Sequence, residues 1–185
     1  MSTIAYQGSA GAFSELAARY HCRAARTLAC ADFAAVIAAV TAGRADLGVI
    51  PVRNSTIGAI AAGDAALAAA AAVRAIGEFE FRVCLCLIAL PGAGLDTLRR
   101  VESHPVALAQ CRGFLARHGL TGEPSDDTAE SARRIALDRN FTRAAVASAI
   151  AAERHGLRIV CHDIADVRDN RTTFVLIGPA LDRAA

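Results

Sequence analysis

Two rhythms of apolar positions run along the chain. Short apolar runs, TIAYQ (Thr3–Gln7) and ADLGVIPV (Ala45–Val52), alternate with longer alanine-rich stretches, AFSELAARYH (Ala12–His21) and DFAAVIAAVTAG (Asp32–Gly43). Apolar runs of about four to eight residues read as strands and the longer stretches as helices, so the alternation predicts an α/β fold with mainly parallel sheets and flanking helices. A second group opens near Glu78 with FEFRVCLCLIAL, continues through DTLRRVESH, PVALAQCRGFLARHG and TAESARRIALDR, and closes with RAAVASAIAAERHG and LRIVCHDI. Helix starts are marked by Asp32 before FAAVIAAV, by Pro105 after Ser103 and His104, and by Thr128 with Glu130 before SARRIALDR. The tract AALAAAAAV reads as a strong helix former. The two groups predict two lobes, residues 1–77 plus 166–185 and residues 78–165, with the last apolar run TFVLIGPAL returning to the first lobe's sheet. A cleft between the lobes is the expected consequence, and the polar stretch DNRTTF (Asp169–Phe174) falls where the chain crosses between them.

Composition adds limits. With 185 residues and 54% hydrophobic content the chain can bury a packed core. The opening MSTIAYQGS has neither the basic nor the long apolar region of a secretion signal, and the alanine tract is interrupted by Asp64 and Arg74, so a cytoplasmic, membrane-free protein is expected. A net charge of +2 with interspersed signs offers no positive stripe for a nucleic-acid partner. The six cysteines show neither zinc spacing nor a CxxC pair, Cys84 and Cys86 read as core filling, and the five histidines form no ligand set, so no metal is expected.

Four segments place glycines or small polar residues just ahead of helices: Gly8–Ser14, Pro51–Ile60, Glu102–Cys111 and Ser125–Ala132. Free backbone amides at such helix openings bind carboxylates or phosphates, and several of them together would make an anion cage. GSAGAF has neither the GK[ST] ending of a P-loop nor the spacing of a dinucleotide fingerprint, so nucleotide binding is weakly supported.

Taken together and in order, these segments resemble the catalytic domain of prephenate dehydratases over essentially the whole chain. IAYQGSAGAFSELAA is similar to that family's opening glycine loop, ADLGVIPVRNSTIGAI to its DxGVxPxENSxxG segment and SHPVALAQC to its SHPQALxQC segment. DDTAESA, AAVASAIAAERHGL and DNRTTF follow where the family has TAxAA, AAIAS and NxTRF. The resemblance implies a two-lobed fold like type II periplasmic binding proteins, the dianion prephenate held in the cleft, no cofactor and a homodimer. With the sequence ending at Ala185, the family's ACT regulatory domain is not expected. Thr172 matches the family's catalytic threonine, and Asn54, Ser55, Ser103, His104, Asn170 and Phe174 are retained as substrate-side residues. Three positions depart: Arg53 replaces the glutamate of PxEN, Val106 the glutamine of SHPQ and Thr173 the arginine of TRF.

A dehydratase couples loss of carbon dioxide to departure of the ring hydroxyl, so it needs a donor at the leaving oxygen. Thr172 is the nominee. Arg53 or Arg171 is expected to supply the missing arginine's anion contact, and Thr173 lies beside them. The three departures and the short chain favour a non-aromatising prephenate decarboxylase, which keeps the hydroxyl and needs a proton donor to the diene; His104 is the candidate for it. The alternative is a prephenate dehydratase making phenylpyruvate, and, from another class, a module that binds small anions without reaction.

Overall fold

The computed structural model describes residues 1–180, so Leu181–Ala185 of the expected first-lobe segment lie outside the described residues. Its elements in chain order are β1 (Thr3–Gln7), α1 (Phe13–His21), β2 (Arg26–Cys30), α2 (Phe33–Thr41), β3 (Leu47–Asn54), β4 (Gly58–Ala59), α3 (Ala61–Ala68), β5 (Val73–Arg82), β6 (Cys86–Ala89), β7 (Arg100–Ser103), α4 (Pro105–Gln110), α5 (Arg112–Arg117), β8 (Thr121–Pro124), α6 (Thr128–Asp138), β9 (Arg143–Ala147), α7 (Ala149–Arg154), β10 (Arg158–Cys161) and β11 (Arg171–Pro179). They form two compact units. Among the described residues one takes Met1–Gly8, Phe13–Arg82 and 171–180, the other Ser9–Ala12 and Val83–Asn170. The break anticipated at Glu78 falls inside β5, because Phe79 and Phe81 pair with Phe174 and Thr172 of β11.

In the first unit the strand order is β2-β1-β3-β11-β5, with β4 added to β3. β1 runs parallel to β2 and β3, as helical crossovers require, but β11 lies antiparallel between β3 and β5. The sheet is therefore mixed, not mainly parallel. A strand that arrives from a distant part of the chain, with no crossover helix to set its direction, is free to pair the other way. β11 is central and almost wholly buried, as its run of Val175, Leu176 and Ile177 requires. One sheet face packs Ile50, Val175 and Ile177 against Val36, Ala39 and Val40 of α2. Gly48 is needed here, since a Cβ would stand 2.8 Å from Val36 Cγ1 and 2.9 Å from Ile177 Cγ1. The other face carries an aromatic stack, with Phe174 on Phe79 at 5.7 Å and Phe79 on His21 of α1 at 5.0 Å between ring centres. Glu15, buried in α1, accepts hydrogen bonds from Arg19 Nε and Thr27 Oγ1, both at 3.0 Å. The alanine tract is helical only as far as Ala68, and Val73 already pairs with Pro179, so sheet formation overrides alanine's helix propensity.

The second unit has strand order β10-β6-β9-β7-β8 and is mixed in the same way: β7 is parallel to β8 and β9, whereas β6 is antiparallel to β9 and β10. Alanines let its helices lie close, and Ala132, Ala145, Ala147, Ala151 and Ala152 share a core with Cys86, Ile88 and Ile135. Burial pushes the Cys86 thiol up to about 11 and the Cys111 thiol up to about 12, which keeps both as apolar fillers. Buried Glu102 is held by Arg143 Nη2 at 2.9 Å and Arg134 Nη1 at 3.3 Å. α6 is capped one residue earlier than anticipated, by Asp127 accepting from Glu130 N at 2.7 Å, so Thr128 is the first helical residue. Among the described residues no helix is long and apolar enough to cross a membrane.

Candidate active site

The first unit builds its polar centre where β3 ends and β11 begins. Thr172 stands opposite Asn54 of β3 and Phe81 of β5 and is 7% exposed. Asn54 Nδ2 donates to Thr172 Oγ1 at 2.9 Å. Asn54 Oδ1 in turn accepts from Thr56 N at 3.0 Å and Thr56 Oγ1 at 2.6 Å, an Asx turn that closes the strand end. Ser55 ties the turn to β11 twice: its N donates to Arg171 O at 2.8 Å, and its Oγ accepts from Arg171 N at 2.9 Å. The Thr172 oxygen thus receives a bond, while its own proton has no acceptor among the described residues. A hydroxyl arranged so can donate to a ligand.

Successive side chains of a strand point to opposite faces, and this divides the residues anticipated from DNRTTF. Thr172 and Phe174 share the α1 face, where Phe174 is core, 2% exposed and stacked on Phe79. Arg171 and Thr173 belong to the α2 face. The Arg171 guanidinium lies 3.9 Å from Glu80 Oε2, both side chains well exposed, and Arg53 pairs in register with Thr173. Arg53 and Thr173 line a groove of about 850 Å³ with Asp64, Leu67, Glu78 and Glu80. The structure therefore does not bring Arg53, Arg171 or Thr173 to the Thr172 hydroxyl. Strand alternation separates them.

The remaining anticipated residues belong to the second unit. Ser103 is fully buried, and its hydroxyl donates to Val146 O at 2.6 Å, a tie between β7 and β9. Asn170 is 1% exposed; its carbonyl accepts from Val83 N at 2.8 Å and its Nδ2 donates to Gln110 Oε1 at 3.2 Å. His104 is the cap of α4, with Nδ1 accepting from Val106 N at 3.2 Å. That bond places the ring proton on Nε2 when the imidazole is neutral. With Pro105, Pro124, Ser125 and Asp126 it lines a hollow of about 280 Å³. The opening glycine loop is pinned by Ser148, whose Oγ donates to Gly11 O at 2.7 Å and accepts from Ala151 N at 3.1 Å. Gly11 has φ +98 and no room for a Cβ without pressing on Ala151. Thr56 and Ser148 are the polar residues that sequence reasoning passed over. An Asn-x-Thr run directly after a strand is the signal that would have found the first.

The profile of the prephenate dehydratase family matches residues 4–181. The chain is 40% identical over 175 residues to arogenate dehydratase/prephenate dehydratase 2 of Arabidopsis thaliana, covering 95% of this chain and 46% of that protein. It is 41% identical over 177 residues to a bifunctional N-acyl-homoserine lactone acylase/prephenate dehydratase of Komagataeibacter europaeus, covering 94% of this chain and 61% of that one. The chain thus spans about half the length of the curated relatives it matches. Among solved structures, prephenate dehydratase of Arthrobacter aurescens in complex with L-Phe superposes with a TM-score of 0.88 at 30% identity, over 96% of this chain and 60% of that one. A periplasmic substrate-binding protein of Coxiella burnetii shares the fold alone, with a TM-score of 0.50 at 12% identity, over 97% of this chain and 84% of that one.

Proposed function

This chain belongs to the prephenate dehydratase family, and on that premise we propose that it is a dehydratase that converts prephenate to phenylpyruvate. The bond from the ring to its carboxylate breaks, carbon dioxide leaves, and the electron pair passes through the diene to expel the hydroxyl oxygen. That oxygen departs as water once it has taken a proton. Thr172 donates a hydrogen bond to it as charge develops, and the hydroxyl works because it is fixed in a water-poor place. The observation that carries this reading is the Thr172 hydroxyl itself: buried, held as an acceptor by Asn54, and with its proton uncommitted among the described residues.

The decarboxylase reading rested on Arg53, Val106 and Thr173 reshaping the site and on His104 protonating the diene. Arg53 and Thr173 line a groove on the other face of the sheet, and one nitrogen of His104 is spent on a helix cap. The relatives are named for dehydration. Product identification after incubation with prephenate, and separately with arogenate, tests the proposal. Phenylpyruvate from prephenate supports it; dihydro-4-hydroxyphenylpyruvate establishes the non-aromatising reaction instead. Prephenate recovered unchanged beyond its spontaneous decay would mark a binding module, and turnover of arogenate alone would reassign the substrate.

A further inference from the structure

The bond between Asn54 and Thr172 has a direction, and the direction decides what Thr172 can do. An asparagine side chain is nearly symmetric in shape, with an accepting oxygen at one tip and a donating NH2 at the other. With the NH2 toward Thr172, the threonine oxygen accepts and its proton is left for a ligand. With the oxygen toward Thr172, the threonine must give its proton to Asn54 and offers a ligand only lone pairs. Nothing in Asn54 itself chooses between these.

Thr56 does. Its N and its Oγ1 stand 3.0 Å and 2.6 Å from Asn54 Oδ1, and both donate to it. A reversed amide would set an N–H group against the Thr56 backbone N–H, which can only donate; the Thr56 hydroxyl adds a second bond that holds the amide in place. We infer that Thr56 is a positioning residue for the dehydration: it orients the hydrogen-bond chain from Thr56 through Asn54 to Thr172 so that the Thr172 proton is left for the substrate. The inference rests on the assignment of Thr172 as donor to the leaving oxygen. Any residue at position 56 other than proline would supply the backbone N–H, so the hydroxyl is threonine's own contribution, and its bond is the shorter of the two. Thr56 is only half-buried in the turn between β3 and β4, so replacing it disturbs little of the core.

The test compares kcat and KM for prephenate in wild type, Thr56→Val, Thr56→Ser, Asn54→Asp and Thr172→Ala, with spontaneous decay subtracted. Thr56→Val is expected to lower kcat about threefold to tenfold, the worth of one lost hydrogen bond, with KM within about twofold. Thr56→Ser keeps the hydroxyl and restores kcat. Asn54→Asp presents only acceptors at neutral pH and so claims the Thr172 proton; kcat falls on the order of a hundredfold and partly recovers as pH drops and the carboxyl gains a proton to donate. A merely structural role for Thr56 would lower the melting temperature of Thr56→Val and leave kcat unchanged at temperatures where the variant is folded. Wild-type kcat in Thr56→Val, or equal losses in Val and Ser, overturns the inference. If Thr56→Val fails to fold, Thr56→Ala decides on the same terms: wild-type kcat overturns the inference and a loss of about threefold to tenfold with KM within about twofold supports it. Wild-type turnover in Thr172→Ala would show instead that the assignment of Thr172 is wrong.

Discussion

Thr172 and Thr173 are the same residue type one position apart, and only the first meets Asn54. The second faces a groove with Arg53, Asp64 and Glu80. That difference follows from the two-residue period of a strand and was available in the sequence, because DNRTTF leads directly into VLIG. By that period Arg171 and Thr173 share one face and Thr172 takes the other. The hydrogen bond that makes Thr172 an acceptor was not available, since it joins positions 118 residues apart. The arrangement carries a prediction for Arg53. If it lies off the substrate's face, Arg53→Glu leaves KM for prephenate within about twofold; an arginine clamping a carboxylate would give a rise of tenfold or more on reversal of its charge. Steady-state kinetics of the purified variant separate the two outcomes.

Elements read well where local chemistry fixed them. Asp32 caps α2 as its position before an apolar stretch required, with Ala35 N donating to its Oδ1 at 2.7 Å. The end of α3 inside the alanine tract was not legible, because the force that ends it is β5 pairing with a strand nearly a hundred residues later. The closing residue of α7, His155, supplies a test at this scale. Burial first, and then the charge of Arg133, hold its pKa below the ordinary 6.5, against the opposing pull of Glu130. The unfolded chain therefore binds a proton at a pH where the folded chain still resists it. Stability from this group is full above about pH 6.5 and is lost as pH falls through that value toward the lower folded one. The melting temperature is expected to fall between about pH 7.5 and 5.5, and His155→Gln to flatten part of that slope. An unchanged slope in the variant would remove His155 from the account.

At the scale of the whole molecule, the α/β class was legible because alternating short apolar runs and alanine-rich helices have few other solutions. The mixed character of both sheets was not, since strand direction in β11 and β6 is set by partners far along the chain, without local signals. Motif order identified the family, which the profile match over residues 4–181 bears out. The choice between the two chemistries lay beyond motif order, because it turns on what one hydroxyl does. The most direct test is therefore the rate of phenylpyruvate formation at saturating prephenate in Thr172→Val, which keeps the threonine's shape and removes only the hydroxyl, set against Thr172→Ser. The account predicts a loss of about a hundredfold or more in the valine variant, the cost of one missing donor at a developing oxyanion, and a loss within about tenfold in the serine variant. Phenylpyruvate formed by Thr172→Val at the wild-type rate would contradict it.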